Sequence, residues 1–390
     1  MEFQRRTVLA GAGSAFLAGC AGAGLAPAAP PAATRLPALK LDLDRLMKIT
    51  VCLRPFRPAG PRLEAERLNE KLVVHNYGHG GAGWSLSWGC AAEAAALARA
   101  SGAASFAVIG AGVIGLTSAL RLVETGARVT IYADEFPAET RSARATGVWS
   151  PSSRIALEGA APTGFAERWE QWARQAHAAH QRFVGLAGEP VEYMPQFDVA
   201  GGGGDGPSPR AQHDFLHLHR RVRDLDLPWR KLTGAENPFA PRAASGGQGM
   251  VFNVAGYADR LAQTFLLRGG RMLRRSFPDR AAVLSLAEPV IVNCMGYGAR
   301  AIWGDAAMVP VRGQIGWLVP QRNARYSLYH GGANAISRRD GVIIQSYGPN
   351  EDFGYGDASE VPDRAETARA LEILRRAYPD RHSALTATEA

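Results

Sequence analysis

The feature that most constrains this chain is a short apolar run, residues 106–109, that ends in Gly110-Ala111-Gly112-Val113-Ile114-Gly115. After it Leu116, Ala119, Leu120, Leu122 and Val123 recur at helical spacing, and Gly126 closes the helix. Residues 128–133 supply a second β-rich run with Asp134 at its end. Strand, glycine turn, helix, strand and acid in this order are what a dinucleotide site requires. Gly110 permits the tight turn, Gly112 admits a pyrophosphate close to the backbone, and Gly115 lets the helix sit tightly on the strand. The helix N-terminus, with Val113 and Ile114, faces the phosphates. Asp134 accepts hydrogen bonds from ribose hydroxyls.

Composition narrows what surrounds this unit. The 390 residues, 46% apolar and 21% charged, fit two or three globular domains. The net charge of +8 comes from arginines dispersed among acids, with no basic stripe of the kind a nucleic-acid binder concentrates. Nucleic acid is therefore not an expected partner. Cys20, Cys52, Cys90 and Cys294 share no metal-binding or disulfide spacing, so no metal is expected and the last three read as buried single thiols.

The N-terminus reads as a targeting segment. Arg5 and Arg6 precede an uncharged stretch, residues 7–19, too short and too rich in Gly and Ala to span a bilayer. The paired arginines resemble a twin-arginine export signal, and Leu17-Ala18-Gly19-Cys20 resembles a lipoprotein cleavage box that leaves a lipidated Cys20. Ordinary cleavage within residues 26–33 is the alternative, and residues 21–37 read as an Ala/Pro tether. A periplasmic location, with membrane attachment through Cys20, is the expectation.

Further segments bear on the cofactor. His75-Asn76-Tyr77-Gly78-His79-Gly80-Gly81-Ala82-Gly83-Trp84-Ser85 leads into a helix through residues 91–98. Thr140-Arg141-Ser142 and Gly147-Val148 follow the second strand, residues 290–296 form a buried strand ending in a glycine turn, and Pro310-Val311-Arg312-Gly313-Gln314-Ile315 follows that. With Leu53-Arg54-Pro55-Phe56-Arg57-Pro58, these segments resemble the D-amino-acid oxidase family of FAD-dependent oxidases, which includes D-aspartate oxidase. The resemblance covers roughly residues 46–351. In that family the arginine-proline segment and the glycine loop close the chain, whereas here they precede the glycine-turn strand, so the chain resembles a circular permutant.

The resemblance implies hydride transfer from the substrate Cα to flavin N5, giving an imino acid, and then reoxidation by dioxygen to hydrogen peroxide. It implies that Arg54 grips the substrate carboxylate with a two-pronged guanidinium; an ion pair with Glu64 or Glu66 is the structural alternative. Arg57 reads as structural. Gly80, Gly81, Gly83, Trp84 and Ser85 match positions where backbone and a helix start pass against the flavin, Gly81 next to the reacting centre. Thr140, Arg141, Ser142, Gly147 and Val148 match contacts to phosphates and flavin. His75 and His79 are expected to fix the loop by hydrogen bonds and not to act as bases. Gln248 stands near where the family carries a tyrosine for the substrate carboxylate, and Tyr257 lies too far along to replace it.

The fold expected is α/β: a Rossmann-like FAD-binding domain plus a mixed α+β substrate domain of antiparallel sheet and helices. The divisions read as 1–37 leader and tether, 38–71 permuted segment, 72–160 main part of the FAD domain, 161–275 first part of the substrate domain, 276–300 return strand of the FAD domain, and 301–390 second part of the substrate domain. Residues 201–207 read as a loop insertion. The function expected is an FAD-dependent oxidase acting on an amino-acid-like substrate with dioxygen. A flavoprotein without oxidase turnover, passing electrons to a membrane acceptor or serving only to bind, is the alternative.

Overall fold

The glycine-turn strand, Ser105–Ile109, lies inside a six-stranded sheet of order Arg62–Leu68, Lys71–Tyr77, Val290–Asn293, Ser105–Ile109, Arg128–Ala133 and Arg271–Arg274. The computed structural model describes residues 36–201 and 210–378. The leader with Cys20, the loop around residues 202–207 and the tail beyond residue 378 lie outside the described residues. Five strands run parallel, and Arg62–Leu68 closes one edge antiparallel. Parallel strands are covered on both faces, which is why Phe106, Ala107, Val108 and Ile109 are all apolar. The helices Gly83–Arg99 and Val113–Val123 bury Trp88, Ala94, Leu116 and Leu120 on one face. Val283, Leu286 and Trp303 cover Ala107 and Ile109 on the other.

An eight-stranded sheet stands beside it, in the order Leu46–Phe56, Val309–Leu318, Gly341–Ser346, Ala333–Arg338, Ser327–His330, Val191–Val199, Ala244–Phe252 and Trp229–Leu232. Its pairs are antiparallel except Ser327–His330 with Val191–Val199. The helix Arg364–Arg375 packs Leu371 and Leu374 under Leu318, Ala335 and Ile344, with Leu39 and Leu41 completing that core. It comes close to the start of the first strand, since a Cβ on Gly316 would meet Thr367 at 2.5 Å and Leu46 at 3.4 Å. The opposite face carries Met194, Val251, Ile315 and Trp317, against which Val148 packs.

Residues 38–71 contribute one edge strand to each sheet and so tie them together. The segment 161–275 divides: its strands Val191–Val199, Trp229–Leu232 and Ala244–Phe252 lie in the eight-stranded sheet, whereas its helices and last strand depart from the expected assignment. Helix Phe165–Gln181 shares a core with helix Gly83–Arg99, and helix Val254–Leu267 buries Tyr257, Leu261 and Phe265 in the core that Leu116 and Leu120 form. Arg271–Arg274 then extends the parallel sheet. An amphipathic helix followed by a parallel strand continues the βα alternation, so these pieces belong with the cofactor sheet.

Candidate cofactor and substrate site

One chamber of about 640 Å³ runs between the sheets, within the size range of cofactor pockets. At one end lies the turn after Ser105–Ile109, with Gly110, Gly112, Val113, Ile114 and Asp134 in the wall. Gly110 has φ +106°, and a Cβ there would come within 2.6 Å of the Cys294 carbonyl. Gly115 lies behind the wall, where a Cβ would stand 1.9 Å from the Gly110 carbonyl, so its part is the close seat of helix on strand. The Val113 N–H donates to Ser142 Oγ at 3.0 Å, and Trp84 Nε1 donates to the Ser142 carbonyl. Thr140, Gly147 and Val148 also line the chamber.

The second glycine loop forms the adjoining wall. Gly80, Gly81, Gly83 and Trp84 line it, and helix Gly83–Arg99 begins there. Its 17 residues direct the positive end of the helix at the chamber. The loop is clamped: the Gly80 N–H donates to the Pro55 carbonyl and the Gly81 N–H to the Ser153 carbonyl. Ser85 is buried behind it, its hydroxyl accepting from the Ser150 N–H.

Arg54 also lines the chamber, from strand Leu46–Phe56. Its Nη1 donates to the Arg312 carbonyl at 3.1 Å, and no carboxylate pairs with it among the described residues. Glu64 and Glu66 are held by Arg62, and Glu66 also by His75, which removes the structural alternative. Burial pulls the Arg54 guanidinium down and pushes the neighbouring Cys52 thiol up, so Cys52 supplies no anion. Arg57 bonds Asp305 at 2.9 Å in a structural ion pair.

Other expected residues sit differently. Gln248 is exposed on strand Ala244–Phe252 and borders a separate cavity of about 290 Å³ with Trp149, His177 and Tyr193. Side chains two apart share a strand face. Gln248 therefore shares the face of Met250, while Val251 is the residue that packs with Val148. Arg141 lines the chamber, but its Nη2 is bonded to Glu360 at 2.6 Å. His75 does bond Glu66, but the His79 side chain makes no bond: its Nε2 is buried without a partner, and burial holds its pKa down at about 3. Tyr257 is buried between Trp88 and His180.

Arg154, Asn334 and Tyr347 also line the chamber, and sequence reasoning missed all three. Arg154 belongs to no motif, and Asn334 and Tyr347 enter because strand Gly341–Ser346 pairs with Val309–Leu318 and strand Ala333–Arg338 pairs with Gly341–Ser346 in turn. Cys52, Cys90 and Cys294 are free thiols.

The residues present suit a dinucleotide flavin. Asn76 Oδ1, His79 Nε2, Arg141 Nε and Asn334 Oδ1 line the chamber and are buried with no hydrogen-bond partner. Cβ atoms at Gly80, Gly81, Gly110 or Gly112 would meet neighbouring atoms at 2.8 Å or less. A parallel sheet with a phosphate-binding turn, closed by an antiparallel sheet bearing a free cation, defines a two-domain dinucleotide-dependent oxidoreductase. The chain belongs to the FAD dependent oxidoreductase family, whose family model matches residues 105–389.

Among curated relatives, a D-amino-acid oxidase of Streptomyces coelicolor is 29% identical over 222 residues, 53% of this chain and 57% of the relative. A D-amino-acid oxidase of Dictyostelium discoideum is 57% identical over 211 residues, 53% of this chain and 55% of the relative. A human D-aspartate oxidase is 28% identical over 221 residues, 54% of this chain and 59% of the relative. The chain spans less than two thirds of the length of these relatives. An iminodiacetate oxidase structure from a Chelativorans species is 15% identical with a TM-score of 0.46, over 70% of this chain and 79% of that one.

Proposed function

We propose that this protein oxidises the Cα–N bond of a free amino acid, in the manner of a D-amino-acid oxidase. The observation that carries the reading is Arg54, a half-buried arginine that lines the chamber beside the glycine loop and has no carboxylate partner among the described residues. An uncompensated buried cation is costly, and a substrate carboxylate relieves that cost. Bound FAD supplies the hydride acceptor and the route for electrons to dioxygen. The Gly110–Gly115 turn and Asp134 hold its adenosine and pyrophosphate part, and Gly80, Gly81, Gly83 and Val148 frame its ring. Asn334 Oδ1, buried without a donor, accepts from the substrate amine. Burial holds the pKa of His79 at about 3, so its imidazole is too weak a base to take the proton of a substrate ammonium. The test is a peroxide assay across D- and L-amino acids on yellow, FAD-loaded protein. Peroxide with D-amino acids supports the reading, whereas dye reduction without peroxide identifies a dehydrogenase.

Two expectations from the sequence are carried forward in the same proposal. The leader directs twin-arginine export to the periplasm with a lipidated Cys20, to be checked by cell fractionation and by Cys20→Ala. Among the described residues no helix is long and apolar enough to cross a membrane, so any attachment in this proposal rests on the lipid. The order of segments is that of a circular permutant, a reading supported by the contact of residues 39–46 with helix Arg364–Arg375. A chain rearranged to begin at residue 105 and end at residue 104 is expected to bind FAD as this one does.

A further inference from the structure

We propose that the separate cavity bordered by Trp149, Tyr193, Trp229 and Asp226 is a binding site for a small organic cation of the quaternary-ammonium type. Its occupancy is independent of what the chamber oxidises.

The cavity has a volume of about 290 Å³ and shares no lining residue with the chamber. Val148 lines the chamber and the next residue, Trp149, lines the cavity, so one stretch of chain walls both. Three aromatic side chains line the cavity, and each is held. The Trp149 N–H donates to the Met250 carbonyl at 3.0 Å, and its ring meets His177 edge to face with centroids 5.2 Å apart. The Tyr193 hydroxyl accepts from Gln181 Nε2. Trp229 Nε1 donates to Ser245 Oγ at 3.0 Å, and a Cβ on Gly247, paired with Trp229 across the strands, would stand 3.2 Å from its ring. Rings already fixed in place spare a ligand the cost of ordering them. Trp229 and Leu227 line the cavity and yet are exposed, so a bound molecule takes apolar surface out of water.

Charge selects the ligand. The chain carries 44 lysines and arginines and a net charge of +8, but among the described residues none of these cations lines this cavity. Asp226 is the one acid that does. Its Oδ2 bonds His219 Nε2 at 2.7 Å, and its Oδ1 has no hydrogen-bond partner among the described residues. Burial pulls the pKa of His177 below its ordinary value, so His177 adds no positive charge at neutral pH, while the carboxylates of Asp226 and Asp224 both act on it. Asp224 is engaged by Arg174 at 2.7 Å, which leaves Asp226 as the anion that a ligand can meet. The faces of Trp and Tyr rings attract a cation, and a methylated ammonium presents apolar surface to them together with its charge. An anion would meet Asp226 with no cation to offset it.

The experiment titrates the FAD-loaded protein calorimetrically with choline and with its neutral carbon analogue, in which a tert-butyl group replaces the trimethylammonium. The wild type is compared with Trp229→Ala, Trp229→Phe and Asp226→Asn. Choline is expected to bind the wild type at least tenfold more tightly than the neutral analogue. Trp229→Ala and Asp226→Asn are each expected to weaken choline at least tenfold, and Trp229→Phe, which keeps an aromatic face, to retain most of the affinity. FAD content should be the same in all four proteins, and choline should leave the flavin absorbance bands of the wild type where they are. Equal binding of choline and its neutral analogue would mean an apolar cavity indifferent to charge and overturns the proposal. Absence of choline binding, or an affinity unchanged in Trp229→Ala, overturns it as well. A shift of the flavin bands by choline would put the cation in the chamber and has the same consequence.

Discussion

The guanidinium of Arg54 lies flat over Gly313: a Cβ on Gly313 would stand 2.4 Å from Nη2 and 2.6 Å from Cζ. The two residues sit on paired strands, Cys52 opposite Gly313 and Arg54 opposite Val311. Gly313→Ala is therefore expected to displace the guanidinium while the extended backbone accepts the methyl. KM for the amino acid should rise at least tenfold, about 1.4 kcal/mol, with FAD content unchanged. Unaltered KM would show that Arg54 does not meet substrate in this position.

Arg54→Ala removes the cation altogether. Truncating one partner of a buried charge pair costs about 2–5 kcal/mol, or roughly 30- to 5,000-fold in kcat/KM. The purified variant should remain yellow, since the phosphate turn and Asp134 are untouched. Steady-state kinetics with the flavin absorbance spectrum checks both halves, and a wild-type kcat/KM in the variant would be fatal to the assignment.

Gly112→Ala separates cofactor binding from folding. Its Cβ would meet only Ser142 Oγ at 2.8 Å, a side chain that can turn away. Stability without FAD should change by less than about 1 kcal/mol, while FAD affinity falls at least tenfold. Titration of apoprotein by flavin fluorescence measures the second quantity, and undiminished affinity would place the pyrophosphate elsewhere.

Stability should decline in mild acid. Burial holds the pKa of His79 and of His180 at about 3, whereas an unfolded histidine accepts a proton near pH 6.5. The unfolded chain binds protons first, so the stabilisation is complete above pH 6.5 and is lost as the pH falls from there toward 3. At pH 5 the loss is about 2 kcal/mol per histidine. Denaturant midpoints at pH 7.5 and pH 5 should show this for the wild type and a slope shallower by one histidine for His180→Gln. Equal slopes would mean that His180 is charged in the fold.

Arg312 and Glu366 form a largely buried pair at 2.9 Å, with side chains only 10% and 11% exposed. Glu366→Ala removes the nearer carboxylate and leaves Arg312 only Asp357 at 3.8 Å, which should cost up to about 3 kcal/mol. Glu366→Gln keeps an acceptor and should cost less. Because the Arg312 carbonyl accepts from Arg54, a kcat/KM loss in Glu366→Ala larger than in Glu366→Gln is also expected.

The cofactor half was legible because its constraints are local. The Gly110–Gly115 turn, its two strands and Asp134 lie within one βαβ unit, where Gly110 takes the positive φ of a tight turn and Gly115 seats the helix against the Gly110 carbonyl. From the eight-stranded sheet, Arg54 was the expected site residue that the structure does bring into the chamber wall. Arg154 and Asn334 reach the chamber through strand pairings and loop contacts that no short motif encodes. Gln248 went astray for the same reason: a strand presents alternate residues to opposite faces, and which face looks inward depends on a partner strand far away in the chain. The helices in 161–275 were hidden by a division drawn from sequence order, where the packing of Tyr257, Leu261 and Phe265 decides membership.

The pairing of Leu46–Phe56 with Val309–Leu318 also bears on how the molecule is made. As the chain emerges from the ribosome, strand Leu46–Phe56 is complete long before its neighbour in the sheet among the described residues, Val309–Leu318, exists. Val51, Leu53 and Phe56 must remain without that partner through most of synthesis. Newly made protein should therefore depend on a holding chaperone until the final third has been translated, and C-terminal truncations ahead of residue 309 should accumulate as aggregates.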